Sequence, residues 1–320
     1  SIDTFVLIPD LKRESSSMAG PLRKAALVAC AALCLQECTG LRLEDKRSEP
    51  APQYECLQKD SLEGLINSTL ASLARNRAGV VNPMLASSPL NLARVECPPV
   101  SFINPPRQRT DLGEVLYERG YKGIGVEVGV QRGRYLRDLA AKWGRLPLYI
   151  QVDLWAHQAN YNDTANVNDT QQADFKQLAC HEATAAKKGQ YLGEVVQCHD
   201  FSTECAKMIP DSSVDFVYID ARHDRKGVLE DLAAYWPKVR AGGVIAGHDY
   251  MTVTESRVTG QHWEVNYDGT KDETLQAVRG AVNDFFSGSL EESPKDLKEC
   301  PRQPVITYRE TKWNTWIVAK

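Results

Sequence analysis

No Cys-x-x-Cys occurs among the nine cysteines of this 320-residue chain. Their spacing is not that of a small disulfide scaffold either, so the sequence is read as carrying isolated core or loop thiols. The odd count leaves at least one thiol unpaired in an oxidising compartment. Gly-x-Gly-x-x-Gly is missing too: Gly125, Gly129 and Gly133 stand four apart, whereas a dinucleotide pyrophosphate wants the tighter pattern. That spacing disfavours an NAD-type oxidoreductase. There is no excess of positive charge, since 38 Lys and Arg face 42 Asp and Glu, giving a net charge of −4. No general basic field draws the chain to nucleic acid. No internal repeat is visible.

Long apolar runs are scarce. Ala25–Leu35 is an apolar run of eleven residues preceded by Arg23 and Lys24, too short for a membrane span of roughly 20 residues. It reads as a secretory signal or short anchor, with an alanine-rich core helix as the alternative. Asn67-Ser-Thr, Asn162-Asp-Thr and Asn168-Asp-Thr are glycosylation acceptors in such a route, so the expected location is the Golgi lumen or outside the cell, and otherwise the cytoplasm.

A hydrophobic content of 42% with 25% charged residues belongs to a globular protein with a sizeable core. Residues 1–60 read as a leader and linker, and 61–110 as a helical and proline-rich segment with helical spacing over Ser61–Arg77. From 111 to 320 strands and helices alternate. Strands are expected at Gly123–Val128, Leu148–Val152, Glu194–Cys198, Val214–Ile219 and Val244–Ala246. Helices are expected at Arg134–Trp143, Gln171–Lys188, Ser202–Met208, Lys226–Trp236 and Thr274–Phe286. This alternation predicts a Rossmann-like, doubly wound α/β sheet, mostly parallel. Pro304–Tyr308 and Trp313–Val318 add an antiparallel hairpin at one edge.

Candidate site residues collect at the strand tips. Glu127 lies inside the first strand, and the turn with Gly129 and Gly133 follows it; this pattern suits a nucleoside without a pyrophosphate. Asp153 ends the second strand, where a carboxylate can accept both hydroxyls of a ribose. Asp200 and Phe201 follow the third, an acid for the adenine amine and an aromatic ring for its face. Asp220 ends the fourth strand and His248-Asp249 the fifth, a donor set for Mg²⁺ or another divalent cation. His223, with an ordinary pKa near ~6.5, is the expected general base. The stretches Trp155–Gln171 and Met251–Thr270 are expected over this edge, with Trp263 or Tyr250 stacking on an acceptor.

Taken in order, Glu127-Val-Gly-Val-Gln-Arg-Gly133, Asp153-Leu-Trp155, Tyr218-Ile-Asp-Ala-Arg-His-Asp224 and Pro237–Tyr250 resemble the class I S-adenosylmethionine-dependent methyltransferases. Within them the chain is similar to the macrocin-type sugar O-methyltransferases and cephalosporin-hydroxylase-like proteins, over roughly residues 110–320. The resemblance implies S-adenosylmethionine held by Glu127, Gly129, Gly133, Asp153, Asp200 and Phe201. It implies a cation on Asp220 and Asp249; the residues themselves point to catalysis by Asp220 and His223, with a small-molecule or glycan hydroxyl as acceptor. Two positions depart from that pattern: His248 stands where those enzymes often have an acid, and Arg222, beside His223, replaces their candidate base. The rival expectations are an NAD-type oxidoreductase and a non-catalytic binding protein on the same fold.

Overall fold

The computed structural model describes residues 54–78, 97, 103–144, 146–189, 192–310 and 312–320. The apolar run at Ala25–Leu35 and most of the segment assigned as leader and linker lie outside the described residues. Among the described residues no helix is long and apolar enough to cross a membrane.

The alternating runs become the strands β1 (Leu57–Gln58), β2 (Ile124–Val128), β3 (Leu146–Asp153), β4 (Leu192–His199), β5 (Val214–Ile219), β6 (Val239–Gly247), β7 (Val305–Ile306) and β8 (Trp316–Ala319). They form one sheet in the order β1-β4-β3-β2-β5-β6-β8-β7. The six from β1 to β6 run parallel, while β8 is antiparallel to both β6 and β7. The expected closing hairpin is therefore present, shortened at both strands. Between the strands lie helices α1 (Leu62–Ala78), α2 (Leu112–Glu118), α3 (Arg134–Trp143), α4 (Asp169–Lys188), α5 (Ser202–Lys207), α6 (Arg225–Tyr235), α7 (Val253–Val258), α8 (Ala277–Ser287) and α9 (Lys295–Glu299).

Alternate residues of a strand point to opposite faces, and here both faces are apolar because both are covered. On one face Val126, Val128, Ile150, Val217 and Ile245 meet Leu62 and Ile66 of α1, Leu232 of α6 and Val282 of α8. On the other face Tyr149, Phe216, Tyr218 and Val244 meet Leu116 of α2 and Leu139 and Trp143 of α3. Each fully buried side chain of this size is worth roughly 1.5–3 kcal/mol. Leu62 and Ile66 thus tie the first described helix into the domain's own core, and β1 pairs with β4.

The cysteines correct the sequence expectation. Cys56–Cys180, Cys97–Cys300 and Cys198–Cys205 are disulfides. Two of them span 124 and 203 residues of sequence, so the pairing is set by tertiary neighbourhood. Cys30, Cys34 and Cys38 lie outside the described residues.

Candidate active site

The parallel strands deliver their carboxyl ends to one edge, and the glycine turn crosses it. Gly129 has φ +88°, and a Cβ there would sit 2.0 Å from the carbonyl oxygen of Asp220, so only glycine lets these two backbones pass. Gly133, φ +73°, is the N-cap of α3, and a Cβ there would sit 2.7 Å from the Cα of Ala179 in α4. Its role is helix packing behind the turn; among the residues lining the cavity below, Gly129 and Gln131 represent the turn and Gly133 does not appear.

Asp153 organises that turn. Its Oδ2 accepts the amides of Val130 and Gln131, both at 2.8 Å, and Oδ1 accepts the amide of Trp155 at 2.8 Å. Burial pushes its carboxyl above the ordinary range, although these three amides pull the other way. A carboxylate offers about four acceptor positions, so one stays open at Oδ1. Glu127 is buried against the aromatic layer, taking a hydrogen bond from the Tyr149 hydroxyl at 3.2 Å. Burial, with Asp220 and Asp153 nearby, holds its carboxyl well above the ordinary range.

Between these elements lies a cavity of about 380 Å³, walled by Gly129, Asp153, Asp200, Phe201, Asp220 and Tyr161 among others. Phe201 leaves 59% of its surface exposed. Asp200 is paired at 2.7 Å with Lys59, whose ammonium holds the carboxyl below its usual range. Asp231 of α6 also lines the cavity and takes the Ser202 hydroxyl at 2.5 Å.

A second cluster adjoins the first through Asp220. His223 Nε2 lies 2.9 Å from Asp249 Oδ2 and 3.5 Å from Asp220 Oδ1. Asp249, at φ +56°, adopts a left-handed conformation that aspartate tolerates better than most residues. Asp220, His223 and Asp249 each bring one donor atom within 4.8 Å of the others. His223 Nε2 and Asp249 Oδ1 are buried yet lack a hydrogen bond: the contacts are close, but they are not aligned as hydrogen bonds. Buried donor atoms that converge without satisfying one another fit a bound cation. Burial alone would lower the His223 imidazole, yet Tyr161, Asp249, Asp163 and Asp220 together hold it well above its usual range. His248, expected as a ligand, lies beside the converging trio, its Nδ1 3.0 Å from Asp249 Oδ1 and 3.8 Å from Asp220 Oδ2.

His223 is not itself one of the residues that line the cavity. Its Nδ1 faces Asp163 Oδ2 at 3.1 Å and the Tyr161 hydroxyl at 2.9 Å. Asp163 and Tyr161 come from the stretch after β3, and sequence reading passed over both. The weak signal was an acid and an aromatic ring within a polar insertion. Trp263 differs from expectation as well. It is buried to 1%, its indole donates to Asp163 Oδ2 at 2.9 Å, and its ring lies 4.5 Å from that of His223. It therefore packs the cluster from within and offers no free face. Tyr250, only partly buried, donates to Asn283 at 2.6 Å.

The two long stretches meet over the site. His262 donates its amide to the Asn162 carbonyl at 3.2 Å. Arg222 fastens the first of them, donating to Gln158 at 3.1 Å and to the Asn160 carbonyl at 3.3 Å while stacking 4.6 Å from the Tyr161 ring. At the position of a candidate base, this chain thus has a clamp.

Residues 126–250 match the sequence profile of a family described as a methyltransferase domain. Among solved structures, the O-methyltransferase from Bacillus cereus in complex with SAH is 18% identical, covering 79% of this chain and 91% of its own, with a TM-score of 0.40. The O-methyltransferase TomG from Streptomyces achromogenes, involved in tomaymycin synthesis and in complex with SAM, is 14% identical over 79% of this chain and 90% of its own, TM-score 0.40. No curated protein sequence matches the chain.

Proposed function

We propose that this chain, whose residues 126–250 match a methyltransferase-domain family, is a class I S-adenosylmethionine-dependent methyltransferase that moves the methyl group to a hydroxyl oxygen of a small acceptor with the help of a divalent cation. One observation carries the reading. Asp220 both lines the nucleoside-sized cavity and belongs to the acid–imidazole cluster, so donor and acceptor chemistry meet at one side chain.

The sulfonium of S-adenosylmethionine supplies a methyl group already activated for transfer. What is left to the chain is to hold it, align the acceptor oxygen in line with it and accept the proton. Gly129 allows close approach of the backbone, the open position of Asp153 takes a ribose hydroxyl, and Phe201 gives an apolar face beside Asp200 for the adenine. Asp220, Asp249 and His223 would hold the cation, which when bound lowers the pKa of a hydroxyl and orients it. With both nitrogens turned to acids, His223 moves from base to ligand. Asp220, shared by both compartments, then receives the acceptor proton as the carbon–sulfur bond breaks and the oxygen–carbon bond forms.

Three disulfides support an oxidising compartment, and with it the secretory route. There a sugar or glycan hydroxyl is the acceptor of choice. The test is isothermal titration of purified chain with S-adenosylmethionine and its demethylated product, followed by labelled-methyl transfer onto a panel of glycosides and phenols. Binding of both nucleosides with transfer to a glycoside is expected. A melting shift with NAD and none with S-adenosylmethionine would overturn the proposal.

A further inference from the structure

The chemistry of the donor set narrows which cation it takes, and this step rests on the cation reading above. The Tyr161 hydroxyl gives its hydrogen to the Ala221 carbonyl at 3.1 Å, so its oxygen meets His223 Nδ1 as an acceptor. Asp163 Oδ2, the other neighbour of Nδ1, is also an acceptor. Nδ1 therefore carries the hydrogen, and in the neutral ring Nε2 presents its lone pair to the space bounded by Asp249 and Asp220. Asp163 is itself fixed, by the indole of Trp263 at 2.9 Å and by the amide of Ala165 at 2.7 Å. A carboxylate behind a histidine, setting its tautomer and ring angle, is the arrangement that supports imidazole ligation of a metal. His223 is 8% exposed, and its Nε2 has no hydrogen bond.

Mg²⁺ prefers an all-oxygen shell and keeps most of its waters, whereas an imidazole nitrogen suits the later first-row ions. We propose that the Asp220–His223–Asp249 cluster selects a borderline transition ion, of the Co²⁺ or Zn²⁺ kind, over Mg²⁺. Asp163 is the positioning residue that makes His223 a ligand.

The test is calorimetric titration of the metal-stripped full chain with Co²⁺ and with Mg²⁺, each alone, with the visible spectrum of the Co²⁺ form as a second readout. Co²⁺ is expected to bind at least 100-fold more tightly than Mg²⁺. Carboxylate sites also rank Co²⁺ above Mg²⁺ to some degree, so the variants decide. His223→Asp, which restores an all-oxygen set, should shrink the ratio at least tenfold and change the Co²⁺ spectrum while retaining Mg²⁺. Asp163→Asn should weaken Co²⁺ by about 10- to 100-fold and leave Mg²⁺ nearly unchanged. Equal affinity for the two ions in the parent chain, or an unchanged ratio and spectrum in His223→Asp, overturns the selectivity. Binding of neither ion by a parent chain that still binds S-adenosylmethionine removes the cation reading itself.

Discussion

Asp153 shows what a single residue contributes beyond its chemistry. Sequence reading placed it at the strand tip to hold a ribose, and the structure gives its carboxylate three backbone amides to hold as well. A fully buried N–H left without a partner costs about 1–3 kcal/mol, but the bonds from Val130 and Trp155 are only part-buried and that from Gln131 is exposed. Asp153→Ala is therefore expected to destabilise the ligand-free chain by about 1–2 kcal/mol, since water can replace part of what is lost. Thermal melting without any nucleoside checks this; an unchanged melting temperature would leave Asp153 with ligand contact alone. Glu127 and Gly133 mark the limit of reading single residues. Each falls inside a motif, yet the acid faces Tyr149 and the glycine makes room for α4, because the neighbours that decide these roles lie elsewhere in the chain.

At the scale of elements the period of the sequence was a good guide. The β5 run places Phe216 and Tyr218 on one face and Val217 and Ile219 on the other, a two-residue alternation that any strand of this composition must obey. Helix α4 begins at Asp169, with the Asn168 side chain accepting the amide of Gln171, a capping signal that sequence can carry. What fastens α4 to β1 was not legible. Cys56 and Cys180 are 124 residues apart in sequence, and nothing local marks them as partners. Closing so long a loop restricts the unfolded chain strongly, and bonds of this kind are worth about 2–4 kcal/mol. Replacing both by serine is expected to lower the denaturant midpoint accordingly, with S-adenosylmethionine affinity largely retained, since neither cysteine lines the cavity. A midpoint within error of the parent chain would show that the packing of Leu62 and Ile66 suffices to hold this edge.

For the whole molecule, the sheet could be foreseen and the closure over it could not. Tyr161 and Asp163 come from one insertion and Trp263 from another a hundred residues on, so their meeting at His223 depends on the finished fold. The same fold buries Asp231 beneath the cavity. Burial, reinforced by Glu230 and Asp224, raises its carboxyl to about 7 against the opposing hydrogen bond from Ser202. In the unfolded chain an aspartate titrates near ~3.9. Between these values the folded state binds the extra proton, so unfolding free energy falls as pH rises. The contribution is fully present below about pH 4 and lost as pH climbs through about 7, on the order of 2–4 kcal/mol in total at 1.36 kcal/mol per pKa unit. Asp163 and Asp249 act in the opposite sense, because their carboxyls are held below the ordinary range and lend stability that disappears in acid. A parent-only pH profile therefore mixes the two signs, and Asp231→Asn separates them. Asparagine keeps the shape and can still accept the Ser202 hydroxyl, but it has no charge to bury. Relative to the parent chain, the variant should gain about 2–4 kcal/mol between pH 4 and pH 8, measured by denaturant unfolding at intervals across that range. A difference that stays flat with pH would mean that Asp231 ionises in the folded chain as readily as in the unfolded one, and that the floor of the cavity is wetter than its packing implies.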